Sequence, residues 1–520
     1  MNERSRRRCP YFVVQGMLIS VMAVMTASPV KAQFDPEDPL VIPGWVVAAV
    51  YSEKVVGNIS TEIRNITGIP PILTTKNYPY VDFKFSLPPD LDARQQIRDV
   101  FVTQRGRGNL KWWDGVARID GTGGQTGSLW VSGMGLDEAS YLDQDAWESI
   151  GLNLGGSPNT WENPRNASKG RDVLIAVLDT GIDQDHPIFG DRIAPFGASM
   201  NPADPSIGDT GNGIDDDGDG DVDEMVGHGT FLSGLVSTIA PDAGLLPVKV
   251  LDSDGRGDTY QLGDGILHAI ENGAHVILVA LGTYDFGIGV PSAGALFVEE
   301  AIDQAIARGI TVIASVGNRY NLSGDRCLFP ANLSTVIAVG GSTMTGLIAS
   351  VSNRSSLTTI MAPAVSGRPG MNEEIIGPFP GNTYRSAVGT SMSAAFVAGA
   401  AALIRAQHPE WPNAEVPVDS IALEIRDRVV QSGSSILVPL ANGQVFTCPE
   451  LDLQSALDFG ISVHQPNGDV DADGDVDGAD LGRLLGWWGR LPATGELHRA
   501  DQNADFAIDG SDLGIVLGSW

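Results

Sequence analysis

Cysteine is scarce in this 520-residue chain, which has three, Cys9, Cys327 and Cys448, too few for the disulfide framework of a small secreted scaffold. Positive charge is scarce too. Lys and Arg number 33 against 64 Asp and Glu, a net charge of −31, so a phosphate backbone is repelled and nucleic acid is excluded as a partner. Cations are the natural complement of such a surface. Long apolar runs are missing as well: the one extended stretch, Tyr11 to Thr26, carries Gln15 and Gly16 and is shorter than a good membrane span.

What is present indicates a folded, exported protein. Hydrophobic residues make up 42% and charged residues 19%, a balance that folds rather than stays disordered. The length suits about two to four domains. Arg4, Arg6, Arg7 and Arg8 precede the apolar stretch, and Val30-Lys31-Ala32 puts small residues where a signal peptidase cuts. Residues 1–32 therefore read as a signal peptide cleaved after Ala32, and the protein as secreted or at the cell surface, not an integral membrane protein. Its removal leaves 28 basic against 63 acidic residues, a net charge of −35. Cys327 and Cys448 remain, either paired in an oxidising compartment or as two buried thiols.

Three regions follow. Residues 33–138 hold short β-rich runs such as Gly44 to Tyr51 and a helical pattern around Asp92 to Val102. From 139 to 460, apolar strands alternate with helices: Val173 to Leu178, Leu245 to Leu251, Val276 to Leu281, Thr311 to Ser315 and Val336 to Val339. That rhythm predicts an α/β fold, a three-layer doubly wound and mostly parallel sheet whose chemistry lies at the carboxyl ends of its strands. Residues 467–520 are Asp- and Gly-rich and internally repeated. Asp469 to Trp488 matches Asp501 to Trp520 at 11 of 20 positions with a 32-residue offset.

Three segments carry chemistry. Leu178-Asp179-Thr180-Gly181 places a carboxylate at the end of a buried strand, Gly227-His228-Gly229-Thr230 opens an apolar helical run, and Gly389-Thr390-Ser391-Met392-Ser393 opens a small-residue helix. Nucleophilic catalysis by serine needs a base to take its proton and an acid group to orient that base. Asp179, His228 and Ser391 supply all three. In this order and these contexts the segments resemble the subtilisin-like serine peptidases, and the resemblance covers about 139–460. It implies a serine endopeptidase in which Asn318, ending Val312 to Gly317, donates to the oxyanion together with the Ser391 backbone N–H. No metal is required for the chemical step.

The resemblance also implies substrate-binding segments. Gly255, Arg256 and Gly257 would form an edge strand that pairs with an extended peptide. Ala280, Leu281 and Gly282 would lie opposite, although the family usually has Ser where Ala280 stands. Gly282 and Ala314 to Gly317 would border the pocket before the cleaved bond. Two further departures are Ala395, where the family usually has Pro, and Phe231, where His is common. Residues 33–138 have the size and position of the family's pro-segment, which assists folding and blocks the cleft, or else form an accessory domain.

Acidic loops imply calcium as a structural cofactor. Asp215, Asp217, Asp219, Asp221 and Asp223 alternate just before His228, the spacing that wraps oxygens around Ca2+; a disordered acidic loop is the alternative. Near the C-terminus, Asp469, Asp471, Asp473, Asp475 and Asp480 occupy positions 1, 3, 5, 7 and 12 of an EF-hand-like loop. Asp501, Asn503, Asp505 and Asp512 repeat this at 1, 3, 5 and 12, with Phe506 in the usual Gly position. Loop plus one helix, duplicated, resembles the dockerin module and implies two calcium ions and a cohesin-like scaffold partner. The leading expectation is a secreted, calcium-stabilised serine endopeptidase acting on protein or peptide substrates. The alternative is a non-catalytic surface-binding protein that displays the dockerin-like end.

Overall fold

The computed structural model describes residues 41–458 with short interruptions, the longest being 153–167, and scattered positions within 481–517. Residues 1–32, expected to be a signal peptide, Asp217, Asp219 and every acidic position expected to hold calcium between 469 and 512 lie outside the described residues. Among the described residues no helix is long and apolar enough to cross a membrane.

Strands β1 (Val41–Val50), β2 (Ile72–Thr75), β3 (Val81–Ser86) and β4 (Leu110–Asp120) form an antiparallel sheet in the order β2-β3-β1-β4, with helix α1 (Glu53–Thr67) following β1. Ile59 and Ile63, one helical turn apart, are fully buried and define the stripe that α1 turns inward. A short strand β5 (Trp130–Val131) precedes two single-turn helices, α2 (Glu138–Leu142) and α3 (Asp145–Ser149). Asp137 caps α2 by accepting from Ser140 N at 2.9 Å. Tyr141 and Trp147 from these helices are buried and meet edge to face in the main core.

The centre of the molecule is a parallel sheet of seven strands. In chain order these are β6 (Leu174–Asp179), β7 (Ala198–Ser199), β8 (Gly244–Lys249), β10 (Val276–Val279), β12 (Thr311–Ser315), β14 (Ile337–Ser342) and β15 (Ile360–Pro363). They lie side by side as β15-β14-β12-β10-β6-β8-β7. Strands such as Leu278-Val279 or Val312-Ile313 can be apolar without alternation because helices cover both faces. Helices α4 (His228–Ile239) and α7 (Thr390–Gln407) cover one face, and α5 (Thr259–Glu271) and α6 (Ala295–Ile306) the other. The strands divide their side chains accordingly: Ile175 and Val177 join the cluster around α7, whereas Ala176 and Leu178 join the cluster around α5 and α6.

Helix α7 runs through the middle of its layer, with every residue from Thr390 to Ile404 buried. Its small side chains permit this. Gly399, for example, sits where an added Cβ would come within 2.7 Å of Ile239 on α4. Approaching α7, β17 (Thr383–Ala387) pairs antiparallel with β16 (Ile375–Phe379), and β5 joins its far side through Ser386↔Val131 and Ala387↔Trp130. Strand β9 (Arg256–Asp258) is the last member of the N-terminal sheet, pairing antiparallel with β4 through Arg118↔Asp258, Ile119↔Gly257 and Asp120↔Arg256. The expected apolar run Val276 to Leu281 is a sheet strand only as far as Val279, and Ala280 to Gly282 run on into β11 (Thr283–Tyr284), which pairs with β13 (Leu328–Phe329). Cys327 and Cys448 are free, buried thiols in separate clusters, and burial pushes both thiols up from their ordinary pKa.

Candidate active site

Four polar side chains meet at the carboxyl edge of the central sheet. Asp179 is the last residue of β6, His228 the first of α4, Asn318 lies three residues past β12, and Ser391 is the second residue of α7. All four are buried. His228 Nδ1 lies 2.7 Å from Asp179 Oδ1, with both side chains 1% exposed. Thr180 N donates to the same Asp179 oxygen at 2.8 Å. His228 Nε2, the far ring nitrogen, is buried and makes no hydrogen bond among the described residues. This is the arrangement of a base held in one tautomer by a carboxylate, with its other nitrogen left to accept a proton.

The close approach of the two motifs depends on glycine. A Cβ on Gly229 would come 2.1 Å from the Gly181 carbonyl oxygen, so a larger residue would push the start of α4 away from the turn that follows Asp179. Gly227, the N-cap, has φ +93°, a left-handed conformation that side chains resist. Its N–H and that of Thr230 converge on a group that the sequence reading missed.

That group is Asp209, 1% exposed. Its Oδ1 accepts from Thr180 Oγ1 at 3.0 Å and Gly227 N at 2.9 Å, and its Oδ2 accepts from Thr230 N at 3.0 Å and Thr230 Oγ1 at 2.7 Å. One carboxylate thus ties the loop after Asp179 to the first turn of the helix bearing His228, where a negative charge suits the helix dipole. Burial pushes the Asp209 carboxyl up from its ordinary pKa, and the bonds from Thr230 and Gly227 oppose this. Asp209→Asn keeps the shape but turns one acceptor into a donor facing Thr180 and Gly227 or Thr230. The expected loss is about 1–3 kcal/mol of stability, read as a lower thermal midpoint. An unchanged midpoint would remove Asp209 from this role.

Asn318 is fixed by its neighbour of the nucleophile motif. Its Oδ1 accepts from Thr390 N at 2.8 Å and Thr390 Oγ1 at 3.0 Å, which orients Nδ2 toward Gly389, where an added Cβ would come 3.2 Å from it. Ser391 Oγ donates to the Ala280 carbonyl oxygen at 3.3 Å. The hydroxyl therefore rests on a carbonyl just beyond β10 and not on the imidazole.

The other expected positions fall in several places. Gly255 has φ +74° and turns the chain into β9, which carries Arg256 and Gly257. Ala280 and Leu281 are buried just beyond β10. Gly282 sits against the Phe329 carbonyl, 2.4 Å from where its Cβ would be. Ala314 lies inside β12 with its side chain in the core cluster on the α5 and α6 face. Gly317, at φ +101°, donates its N–H to Thr390 Oγ1 at 3.2 Å.

In the acidic segment the carboxylates turn to backbone N–H groups. Asp223 accepts from Asn212 N at 2.8 Å and Gly213 N at 3.0 Å, and Asp215 accepts from Gly220 N at 3.0 Å. Asp254, which the spacing did not point to, accepts from Asp223 N at 2.6 Å and from Asp216 N. Among the described residues no group of three or more His, Cys, Asp or Glu is gathered to hold a metal ion. The described residues Asp215, Asp221 and Asp223 therefore do not by themselves fit a calcium site.

Comparison with known proteins agrees with this geometry. Residues 170–444 match the Subtilase family. The chain is 35% identical over 257 residues to Subtilisin BL of Lederbergia lenta, a match covering 48% of this chain and 81% of that one. It is 34% identical over 257 residues to Subtilisin E of Bacillus subtilis, where 48% of this chain meets 59% of the relative. Among solved structures, fervidolysin from Fervidobacterium pennivorans, a keratinolytic enzyme related to subtilisin, superposes with a TM-score of 0.59. That likeness covers 82% of this chain and 63% of the other at 18% identity, and so concerns the fold. The chain spans less than two thirds of the length of Subtilisin E and of fervidolysin.

Proposed function

The chain belongs to the subtilase family of serine peptidases, and from that premise we propose that it is a secreted endopeptidase working through Asp179, His228 and Ser391, with Asn318 in the oxyanion hole. The observation that carries the reading is the buried 2.7 Å pair of His228 and Asp179 with Nε2 unengaged, at the same sheet edge as the serine that opens α7. His228 Nε2 takes the proton from Ser391 Oγ as the oxygen attacks the peptide carbonyl carbon. The negative charge moves to the carbonyl oxygen, met by Asn318 Nδ2 and the Ser391 N–H at the start of α7. Collapse expels the amine, which His228 protonates. Water then repeats the sequence on the acyl-enzyme, with the same base and the same donors.

Residues 33–138 are proposed as the pro-segment. Support comes from β4, which lies along β9, the strand expected to receive substrate backbone. Calcium is proposed for the loops at 469–480 and 501–512 on their spacing alone, and a cohesin-like partner on the duplication. Leu484 and Val516, which the 32-residue offset equates, are both fully buried, while the next residues, Leu485 and Leu517, are exposed. Equal burial at equivalent positions supports two copies of one unit.

Labelling with a fluorophosphonate probe tests the reading. The matured protein is expected to label at Ser391, and Ser391→Ala to abolish the label. Truncation at 466 leaves labelling intact but removes any rise in thermal midpoint on adding calcium. No labelling of folded protein would return the chain to the binding-protein alternative.

A further inference from the structure

Asn318 sits on a loop whose backbone is held on both sides by one residue from elsewhere in the chain. After β12 ends at Ser315, the chain turns through Gly317, at φ +101°, before it reaches Asn318. Asn353, in the connection from β14 to β15, makes three hydrogen bonds around that turn. Its N–H donates to the Gly317 carbonyl at 2.8 Å, its Nδ2 donates to the Val316 carbonyl at 2.8 Å, and its Oδ1 accepts from Arg319 N at 2.9 Å. Two of these bonds lie just before Asn318 and one just after it. Thr390, from α7, engages the Asn318 side chain instead, at Oδ1. Asn353 thus sets where the Asn318 backbone lies, and Thr390 sets which way its amide points.

Asn353 is itself anchored to the central sheet. The Oγ of the preceding residue, Ser352, accepts from Gly341 N on β14 at 2.9 Å and donates to the Asn353 carbonyl at 2.9 Å. The Asn353 amide packs into space that glycine leaves open, with Nδ2 2.6 Å from where a Cβ of Gly317 would be. Asn353-Arg354-Ser355 has the form of a glycosylation sequon, but Asn353 is 1% exposed, so the amide serves the interior. We infer that Asn353 is a positioning residue for peptide hydrolysis, holding the loop so that Asn318 Nδ2 meets the oxyanion. It acts through Asn318 and touches neither substrate nor reacting atoms. The inference rests on Asn318 as the oxyanion donor and adds what keeps that donor in place. An oxyanion exists only beyond the ground state, so a displaced donor costs kcat and spares KM.

A double-mutant comparison tests it, with kcat counted per serine titrated by a fluorophosphonate so that unfolded chains are excluded. Asn353→Ala is expected to lower kcat on the order of 10-fold to 100-fold with KM within about 3-fold, short of the roughly 10^2-fold to 10^3-fold that losing the donor outright costs. In the Asn318→Ala background the same substitution should change kcat by less than about 3-fold, since the group it positions is gone. Asn353→Asp keeps the volume and the acceptor for Arg319 N and loses the donor to Val316. It gives the same comparison should the alanine variant not fold, with an expected loss on the order of 10-fold that again vanishes without Asn318. A lowered thermal midpoint with kcat per titrated serine unchanged would show a structural role alone and overturn the inference. Equal losses of kcat in both backgrounds would overturn it too, because Asn353 would then act through some other group. Asn318→Ala as active as the parent would overturn the oxyanion reading on which the inference stands.

Discussion

Replacing Ser391 with alanine is expected to reduce peptide hydrolysis on the order of 10^6-fold in kcat, a magnitude carried over from subtilisin, a relative of this chain. Without Oγ no acyl-enzyme forms, and His228 and Asp179 have nothing to activate. Residual turnover on the order of 10^3-fold to 10^4-fold over water would remain from the oxyanion donors and substrate binding. The fold should be indifferent. Ser391 makes one long side-chain bond, 3.3 Å to the Ala280 carbonyl, and its loss leaves an acceptor at the end of a strand whose other bonds stand. The check is kcat on a quenched peptide beside the thermal midpoint. Activity within about 10-fold of the parent, an amount a bystander side chain near the chemistry could account for, would remove Ser391 from the nucleophile's role.

The second large effect concerns the tautomer. Asp179→Asn is expected to lower kcat on the order of 10^4-fold while leaving binding nearly unchanged. The carboxylate accepts from His228 Nδ1–H and so leaves Nε2 unprotonated, which a base requires. An asparagine amide that donates to Nδ1 puts the ring proton on Nε2, where it faces the serine uselessly. The pair is 2.7 Å apart and nearly inaccessible to water, so water offers no easy substitute for the lost acceptor. A variant that loses KM but keeps kcat would show that Asp179 shapes the cleft and does not orient the imidazole.

Much of this was legible in the chain because the signals are local. A run such as Thr311 to Ser315 declares itself by apolar residues between turn signals, and Asp179, His228 and Ser391 each sit at a strand end or helix start that neighbouring glycines mark. Asp209 was not legible: it lies in a polar stretch without periodicity, and its four donors come from residues 180, 227 and 230. The Ala280 carbonyl was invisible for another reason, since a backbone oxygen has no letter of its own. In the acidic segment the spacing points to Asp215 and Asp223, which accept from backbone N–H groups, but it gives no sign of Asp254, some thirty residues on, which receives two more.

Helix α7 passes through the core with its first fifteen residues buried, and that has a bearing on how activity is acquired. The helix packs on β10, β12, β14, β15 and α4, elements scattered across the whole sheet, so its N-terminus has no defined position until all of them are in register. Such long-range contacts form late and together. Local opening of the kind that frays surface helices has no route to α7, which is tied to the global unfolding unit. In a nascent or half-assembled chain the proposed nucleophile is therefore not yet in place. A peptidase surrounded by copies of its own unfolded chain becomes competent to cut only when it has ceased to resemble them.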